Sequence, residues 1–527
     1  MFFSSLLSPF NRMYNVNHYP TANGKGGIVM PYIAAFDIGT TSMKGALLDR
    51  QANVHGACSV LLDTHYGPDG EIEQNPDDWW AGIKEIADKW WHTFNIDPTH
   101  VVGITFSGQM EDVISIGNRE TWAILYSDTR AVDEADWIQQ TCPELQDAIG
   151  NTVRASTPLA KLCWLQNHNP DNYQHTSQFV FSAKDYIIYQ LTDAVVTDPT
   201  TGATTGMMNL EKRQWELESL RNLGVDPAKL PALMQAEETA GYVTEAAARR
   251  TGFPEHIPVV CGSGDAGAST IGAAAVHHGD SYFYIGTTGW AAVIRDNVQL
   301  REPIDGLFHL AHLPEKSVIT IAPLLNAGNV HRWAVQTFAR TEEAEDYETF
   351  ENMVQASTPG SNGVLFLPYV HGERCPVHDP EAKGAFWGIG PTTTMSDFAR
   401  AVMEGLSFSF KQIMDALTDD TAGTVTLIGG GTKSVFWCQL LADCIGRPIR
   451  VPTASEYMPV IGASAAAFVA LGWVRDYHDF AERFIKPAAA TVYEPNLQRY
   501  AQYQPIYQRY VQLYPAMEGI YRQEPGQ

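Results

Sequence analysis

Short apolar runs that end in glycine- and threonine-containing turns recur along the chain. The first run, Tyr32–Phe36, leads into the turn Asp37–Ser42, and a second run, Met43–Leu48, follows it. Two apolar runs joined by such a turn are typical of a β-hairpin. The run Val54–Leu62 predicts a third strand. The segment that begins Pro76-Asp77-Asp78 predicts the start of a helix, because proline and acidic residues favour the first helical turn.

The second half of the chain repeats this order. The run Tyr282–Ile285 leads into the turn Gly286–Gly289, and the run Trp290–Ile294 follows. Strands that form a meander and then alternate with helices are typical of an α/β domain. One such hairpin in each half predicts an internally duplicated architecture of two α/β domains with a junction near residue 270.

Other predicted elements fit the same plan. Three further apolar runs predict strands that end in small-residue turns; they are Val101–Phe106 before Ser107–Asp112, Val259–Cys261 before Gly262–Gly267, and Thr424–Ile428 before Gly429–Ser434. Helices are predicted at Ala268–Ala275, Val435–Ile445 and Ile461–Leu471. We therefore divide the chain into a disordered leader (1–29), an N-terminal domain (30–270), a C-terminal domain (271–475) and a helical surface tail (476–527).

Charge and cysteine content narrow the class of protein. The 527 residues carry a formal net charge of −25, which argues against nonspecific binding to nucleic acid or to an anionic membrane. No apolar stretch is long enough to cross a bilayer. The seven cysteines include no CxxC pair, so we expect buried thiols in a reducing compartment. These features predict a cytoplasmic protein that holds any polyanionic substrate through backbone N–H groups and a metal ion.

The glycine-rich turns are candidate phosphate sites. Glycine lets a backbone approach a ligand closely and present its N–H groups to phosphate. The three turns are Gly39-Thr40-Thr41, Gly286–Gly289 and Gly429–Gly431. None matches the P-loop pattern or the dinucleotide-binding G-x-G-x-x-G pattern. Any one of these turns is better explained as a plain hairpin turn, but three of them at strand ends together favour phosphate sites.

Two aspartates follow apolar strands in small-residue surroundings. Asp37 ends the first strand, where a carboxylate suits Mg²⁺ through its water shell; the alternative is an aspartate that hydrogen-bonds its own turn. Asp265 stands in Gly264-Asp265-Ala266, where a substrate hydroxyl has room to approach a general base. The alternative there is a helix N-cap.

Together these motifs resemble the FGGY carbohydrate kinase family over about residues 32–475, and its xylulokinase members best. The resemblance rests on Phe36–Ser42 with Lys44, Ser107–Met110, Gly264-Asp265, Gly286–Gly289, Glu373–Pro376, Lys383–Gly388, Gly429–Ser434 and Trp437–Arg447. It implies an actin-like (ribonuclease-H-like) fold whose two domains hold ATP, Mg²⁺ and a sugar in a central cleft.

The resemblance also implies roles for individual residues. Asp265 corresponds to the catalytic base, and Asp37 fits the metal. Sugar contacts are expected from Gln109, Met110, Glu111 and Asp265. ATP contacts are expected from Thr40, Thr41 and Ser42 in the first turn, Gly286, Thr287 and Thr288 in the second, and Gly430, Gly431 and Ser434 in the third.

Two positions depart from the xylulokinase pattern. Glu111 stands where those proteins have His, and Ala266 stands where they have Asn. The resemblance implies phosphorylation of a sugar hydroxyl. The first candidate is the conversion of D-xylulose to D-xylulose 5-phosphate, and the two departures leave another neutral ketose or a polyol as the alternative. A non-catalytic sugar or nucleotide sensor is the rival from another class. Expected partners are the sugar and ATP, neither nucleic acid nor membrane, and a second copy of the chain if it forms a homodimer.

Overall fold

The computed structural model describes residues 30–68, 70–117, 122–296, 306–339, 346–418 and 422–521. The predicted leader, residues 1–29, lies outside this part of the chain. In the N-terminal half the strands are β1 (Tyr32–Ile38), β2 (Ser42–Leu48), β3 (Val54–Leu61), β4 (His65–Tyr66), β5 (Ile72–Gln74), β6 (Val101–Gly108), β7 (Ile114–Ile116), β8 (Ala123–Ile124), β9 (Gln178–Val180), β10 (Val196–Thr197), β11 (Met208–Asn209), β12 (Gln214–Trp215), β13 (Ala232–Leu233), β14 (Thr239–Tyr242), β15 (Pro258–Val260) and β16 (Ser263–Gly264). The α-helices of this half are α1 (Pro76–Asp88), α2 (Val132–Thr141), α3 (Leu145–Ile149), α4 (Pro158–His168), α5 (Pro170–His175), α6 (Ala183–Thr192), α7 (Pro199–Thr204), α8 (Leu217–Asn222), α9 (Glu245–Thr251) and α10 (Asp265–Gly272).

The C-terminal half is built from fewer and longer elements. Its strands are β17 (Ser281–Ile285), β18 (Gly289–Arg295), β19 (Phe308–Ala311), β20 (Val318–Leu324), β21 (Leu365–Leu367), β22 (Ala385–Trp387), β23 (Val425–Ile428), β24 (Ile449–Pro452) and β25 (Ala490–Tyr493). Its α-helices are α11 (Gly328–Phe338), α12 (Tyr347–Ala356), α13 (Met395–Leu417), α14 (Val435–Ile445), α15 (Met458–Ala470), α16 (Tyr477–Phe480), α17 (Leu497–Tyr510) and α18 (Leu513–Tyr521).

Two mixed sheets share one strand order, which confirms the predicted duplication of an α/β unit. In the first sheet, β3-β2-β1 is an antiparallel meander, and β6 and β15 add to β1 in parallel. In the second, β20-β18-β17 is the meander, and β23 and β24 add in parallel. We call each sheet with its flanking helices a lobe, N-terminal and C-terminal.

The two lobes meet where α10 and α15 cross. A side chain at Gly462 of α15 would place its Cβ 1.9 Å from the Ala268 carbonyl oxygen of α10. Only glycine allows the two backbones to approach this closely. Helix α15 also packs on β1 and β6, and the Thr105 hydroxyl donates to the Ala463 carbonyl at 3.3 Å. Strands β1 and β6 of the first sheet therefore pack against a helix from the second half of the chain.

Local signals explain where several elements begin and end. Asn75 caps α1 by accepting from the Asp77 N–H, and Pro76 is its first residue. Ser434 caps α14 by accepting from the Trp437 N–H, and the left-handed Gly446 ends that helix. The predicted bounds of α14, Val435–Ile445, are confirmed.

Two predictions need correction. The small-residue helix begins at Asp265, three residues before the predicted Ala268, because the chain turns into the helix directly after β16. The expected helical surface tail over 476–527 also differs from the structure. Residues Ala490–Tyr493 form the edge strand β25 on β24, and α17 buries Tyr503 and Tyr510 in the C-terminal core.

Two expectations about the chain as a whole can be compared with the described residues. Six of the seven cysteines are buried and Cys58 is half-buried, and none of the seven forms a disulfide. Within the described ranges, no helix combines the length and apolar character that a membrane crossing requires.

Candidate active site

Three strand ends of the N-terminal lobe lie side by side. Ile38 of β1 is paired with Gly108 of β6, and Gly108 is paired with Gly264 of β16. Neighbouring strands are about 4.8 Å apart, so the ends of the three strands lie within roughly 10 Å of one another. The candidate residues Asp37, Gln109 and Asp265 sit at or next to these ends. One edge of one sheet thus brings together the predicted metal, sugar and base residues.

Asp265 is the first residue of α10, and Gly264 occupies the N-cap position. The N-cap explanation of Asp265 is therefore wrong. The pKa of the Asp265 carboxyl is raised to about 7, first by burial and then by the charge of Asp37, while a bond from the Ala266 N–H lowers it. A carboxylate with a pKa near 7 is suited to accept a proton at neutral pH.

Asp37 faces the neighbouring strand instead of its own turn. Its Oδ1 accepts a hydrogen bond from the Ser107 hydroxyl at 2.8 Å. Burial raises the pKa of Asp37, and the charge of Lys44, the residue opposite it in the β1–β2 register, partly offsets this. Two mutually repelling carboxylates, Asp37 and Asp265, therefore share this edge. Such a pair is stabilised by a cation.

The first glycine-rich turn closes the β1–β2 hairpin as predicted. The Gly39 N–H donates to the Ser42 carbonyl at 3.1 Å, and the exposed Thr41 accepts from the Leu62 N–H at 3.0 Å. The Thr40 hydroxyl donates to Gln109 Oε1 at 2.9 Å. The turn and the predicted sugar residue Gln109 are thus directly connected.

Gln109 is almost fully buried within a chain of side-chain hydrogen bonds. Its Nε2 donates to Gln74 Oε1 at 3.0 Å, and the Trp79 indole donates to the same oxygen at 2.9 Å. Gln74 in turn donates to the Thr40 carbonyl at 2.7 Å. Both ends of the Gln109 amide are therefore engaged by the protein itself. Sequence reasoning missed Gln74. A polar residue two positions before the start of a helix carries no signal of such a role.

Met110 and Glu111 continue from the same strand end. Met110 packs against Gly264, where any Cβ would overlap its sulfur. Glu111 has the left-handed φ of 62°, which is rare for a residue with a side chain. The Lys161 ammonium donates to its carbonyl at 3.0 Å. Burial raises the pKa of the Glu111 carboxyl, whereas the charges of Arg374, Lys161 and Arg154 lower it.

Asp112 was not predicted, although it follows Glu111 directly. Its Oδ1 accepts from the Tyr126 N–H at 3.2 Å, and its buried Oδ2 has no hydrogen-bond partner within the described residues. Burial raises the pKa of this carboxyl well above its usual range, and Asp265 and Glu111 add to the rise.

Ala266 is the other departure from the xylulokinase pattern. It is 5% exposed and packs in a core cluster that includes residues of both lobes.

The second and third turns lie together in the C-terminal lobe. They line a cavity of about 1140 Å³ whose walls include Gly286, Thr287, Gly430, Gly431, Ser434 and Trp437. Thr288 closes the second turn by accepting from the Gly286 N–H at 2.9 Å. Ser434 donates its hydroxyl to Glu351 at 3.1 Å. Five of the predicted ATP residues therefore meet in one cavity, and Thr40, Thr41 and Ser42 belong to the opposite lobe.

The loop that contains Arg374 is held by a buried glutamate. Glu373 accepts from the Leu325 N–H at 2.7 Å, from the Arg374 N–H at 2.9 Å and from Asn326 Nδ2 at 2.9 Å. Burial raises its pKa to about 7. This clamp places Arg374, from the C-terminal half, within electrostatic reach of Glu111 on the N-terminal lobe.

Family models match both halves of the chain. Residues 32–272 match the N-terminal domain of the FGGY family of carbohydrate kinases, and residues 282–471 match its C-terminal domain.

Individual relatives cover nearly the whole chain. A xylulose kinase of Staphylococcus xylosus is 30% identical over 468 residues, which span 86% of this chain and 94% of the relative. A gluconokinase of Bacillus subtilis is 29% identical over 466 residues, which span 85% and 89%. The crystal structure of a ligand-bound xylulose kinase from Lactobacillus acidophilus superposes with a TM-score of 0.84 at 27% identity, covering 93% of this chain and 99% of that one.

Proposed function

The chain belongs to the FGGY family of carbohydrate kinases, and on that premise we propose that it transfers the terminal phosphoryl group of ATP to a primary hydroxyl of D-xylulose. The product would be D-xylulose 5-phosphate. The alternative within the class is another neutral ketose or a polyol. The observation that carries the proposal is the alignment of β1, β6 and β16, which sets Asp265 beside Asp37 and Glu111.

Asp265 acts as the general base in this proposal. The sugar hydroxyl oxygen forms a bond to the terminal phosphorus, the bond from that phosphorus to the bridging oxygen of ADP breaks, and the hydroxyl proton passes to Asp265. The pKa of about 7 leaves a useful fraction of Asp265 ionised at neutral pH. Most of the remaining acceleration comes from positioning and charge stabilisation.

The donor set fits Mg²⁺, the usual metal of the family. Asp37 and Asp265 are close enough that the charge of one raises the pKa of the other. Within the described residues no group of three or more His, Cys, Asp or Glu side chains could hold a metal ion by itself. Mg²⁺ prefers a site with one or two carboxylates, water and substrate phosphates. Asp37 would hold it, and the ion would neutralise charge on the phosphates.

We assign the nucleotide to the C-terminal cavity. Gly430, Gly431 and Ser434 would contact the adenosine, and Gly286, Thr287 and Thr288 would contact the phosphates. The opposite turn, Thr40–Ser42, would approach the terminal phosphate from the N-terminal lobe. Closure of the lobes would bring the two turns together and exclude water.

Substrate choice depends on the charge around Glu111. An ionised Glu111 only accepts hydrogen bonds, so it favours a pair of sugar hydroxyls and repels a carboxylate. Arg154, Lys161 and Arg374 carry positive charge and lower the pKa of Glu111. If their positive charge outweighs the negative charge of Glu111, the pocket favours a second candidate, a sugar acid such as gluconate.

A substrate panel separates the candidates. ADP release is measured with D-xylulose, other ketoses, glycerol and gluconate under the same conditions. We expect the highest kcat/KM for D-xylulose and the lowest for gluconate. Efficient phosphorylation of gluconate would replace the first candidate by the second. Failure of every sugar, with ATP still bound, would favour a sensor on the same fold.

Two further parts of the proposal concern the cell and the assembly. We place the enzyme in the cytoplasm, where ATP and sugars are available to a kinase. Sedimentation of the purified protein would test whether two copies of the chain form a homodimer.

A further inference from the structure

A fully buried group of charges lies beneath the two strand ends that carry the candidate site. Lys184 of α6 contacts Asp185 Oδ1 at 2.6 Å and Asp198 Oδ1 at 3.1 Å, and all three side chains are 0% exposed. We call Lys184, Asp185 and Asp198 the buried triad. Burying three charges costs free energy unless they are paired and hydrogen-bonded. The proposed reaction does not use any of them.

Asp198 connects the triad to the turn that carries Asp265. Its Oδ1 accepts from the Gly264 N–H at 3.2 Å and from the Thr201 hydroxyl at 2.6 Å. Its Oδ2 accepts from the Thr200 and Thr201 N–H groups at 2.9 and 3.3 Å, which caps α7. The residue immediately before Asp265 is therefore bound by a carboxylate that cannot rotate without breaking other bonds.

Lys184 reaches the neighbouring strand end from the other side. A Cβ at Gly108 would lie 2.9 Å from the Lys184 backbone nitrogen and 3.0 Å from the Ser182 hydroxyl. The start of α6 is thus in close contact with the turn that leads to Gln109. Gly108 and Gly264 are paired across β6 and β16. The Lys184–Asp198 ion pair therefore connects the two strand ends, with Lys184 against Gly108 and Asp198 bound to Gly264.

We propose that Asp198 is a positioning residue for the phosphoryl transfer, holding the Gly264–Asp265 turn in register with the Gly108–Gln109 turn. This inference rests on the proposed function, since it assigns a role relative to Asp265 as the base. A misplacement of about 1 Å in a reacting group can cost up to about 100-fold in rate. A residue that holds the base by its preceding N–H is therefore expected to affect kcat far more than ATP binding.

The charge of Asp198 provides a second, independent readout. Burial raises the pKa of Asp265, and the charges of Asp37, Glu111 and Asp198 add to the rise. The other ionisable groups that interact with Asp265 are Asp112, Tyr126, Tyr282 and Tyr284. Those that interact with Asp198, besides its partners in the triad, are Arg213, Cys261 and Tyr477. Loss of the Asp198 charge therefore lowers the pKa of Asp265.

The test is Asp198→Asn, assayed with D-xylulose or the best sugar of the panel. Asparagine keeps the shape but has only one accepting oxygen, so it cannot accept both from the Gly264 N–H and from the Thr200 and Thr201 N–H groups; Lys184 keeps Asp185 as its partner. We expect kcat to fall about 10- to 100-fold, KM for ATP to stay within about twofold, and the acid limb of kcat/KM to move to lower pH by roughly half a unit. Asp185→Asn is the matched control in the same triad, because Asp185 binds Lys184 and Thr197 but not Gly264. We expect a smaller loss of kcat for it.

The outcomes separate the two proposals. Wild-type kcat and an unmoved acid limb in folded Asp198→Asn would overturn the positioning role and leave the kinase assignment intact. Equal losses in Asp198→Asn and Asp185→Asn would also overturn it, since they would indicate a general effect of the triad on folding. Absence of wild-type activity on every sugar would overturn the proposed function and this inference with it.

A second variant applies if Asp198→Asn does not fold. Thr201→Val removes one donor to Asp198 Oδ1, and the same assays should show a kcat about two- to fivefold lower. An unchanged kcat in Thr201→Val would overturn the proposal.

Discussion

The first hairpins of the two lobes have the same backbone and opposite chemistry. In the N-terminal lobe Asp37 is paired with Lys44, and in the C-terminal lobe the corresponding position, Tyr284, is paired with Trp290. The neighbouring parallel strand places Ser107 beside Asp37 and Ile428 beside Tyr284. Tyr284 and Trp290 are stacked with ring centroids 4.0 Å apart. One lobe therefore buries charge where the other buries aromatic rings.

This difference indicates a division of labour within one duplicated fold. Buried carboxylates are unfavourable for folding and are characteristic of functional sites. The N-terminal edge contains Asp37, Asp265, Glu111 and Asp112, and burial raises the pKa of each. The C-terminal edge offers glycine-rich turns and a cavity that suits a nucleotide. We expect mutations at equivalent positions of the two edges to have unequal effects.

Asp265→Asn should have the largest effect. Loss of the proposed base is expected to lower kcat by roughly 10²–10⁴-fold, while ATP should still bind at the proposed site in the other lobe. The measurement is steady-state kcat with the best sugar, together with ATP binding by calorimetry. Near wild-type kcat in a correctly folded variant would remove Asp265 from the mechanism.

Asp37→Asn and Tyr284→Phe test the equivalent positions directly. Asp37 would act on Mg²⁺ through water, and loss of such an outer contact typically costs about 10- to 100-fold in activity or metal affinity. We expect that loss in kcat and a higher Mg²⁺ requirement for Asp37→Asn. Tyr284→Phe keeps the stacked ring and should change kcat less than about threefold by the same reasoning. Equal effects at the two positions would contradict the division between the lobes.

Glu111→Gln tests whether the carboxylate edge selects the sugar. Loss of a hydrogen bond to a charged group costs about 1.5–3 kcal/mol, or roughly 10- to 100-fold in kcat/KM for the sugar. KM for ATP should change little, because the proposed nucleotide cavity lies in the other lobe. If Glu111 instead only balances Arg154 and Arg374, the kinetics of D-xylulose will be unchanged in the variant.

The sequence predicted the repeated parts of the molecule well and the supporting contacts poorly. Both hairpins, the turn residues and helix Val435–Ile445 follow from local apolar runs and glycines, which are short-range signals. The members of the triad lie close together in the chain, but the bond from the Gly264 N–H to Asp198 joins residues 66 positions apart, and one sequence does not reveal such a contact. Two local signals were nevertheless present. Lys184-Asp185 is a charged pair at the start of an apolar helix, and Asp198-Pro199-Thr200 has the form of a helix N-cap followed by proline.

The C-terminal tail shows a different limit. Its many Tyr, Gln and Arg residues suggested a surface helix, yet α17 buries Tyr503, whose hydroxyl donates to Glu404 at 2.9 Å. Arg400 donates to the same tyrosine at 2.9 Å. A tyrosine can be buried when its hydroxyl has partners, and those partners lie about 100 residues earlier. The polar residues of the tail therefore include some that form buried hydrogen bonds, and their number did not predict how exposed the tail is.

The smallest expected effect concerns stability. The pKa of Asp265 in the folded protein is about 7, above the ordinary value of an unfolded aspartate. A raised carboxyl pKa contributes stability below the unfolded pKa, and that contribution is lost as pH rises from about 4 through 7. Asp265→Asn cannot ionise, so its stability relative to the wild type should increase between pH 5 and pH 8. We expect a gain on the order of 1–3 kcal/mol, or a few degrees in Tm, measured by thermal melting at both pH values.

Tyr284→Phe is the matched comparison. Burial raises the pKa of Tyr284 further above this range, so its Tm difference from the wild type should not depend on pH between 5 and 8. A pH-independent Tm difference for Asp265→Asn as well would mean that ionisation of Asp265 does not destabilise the N-terminal edge.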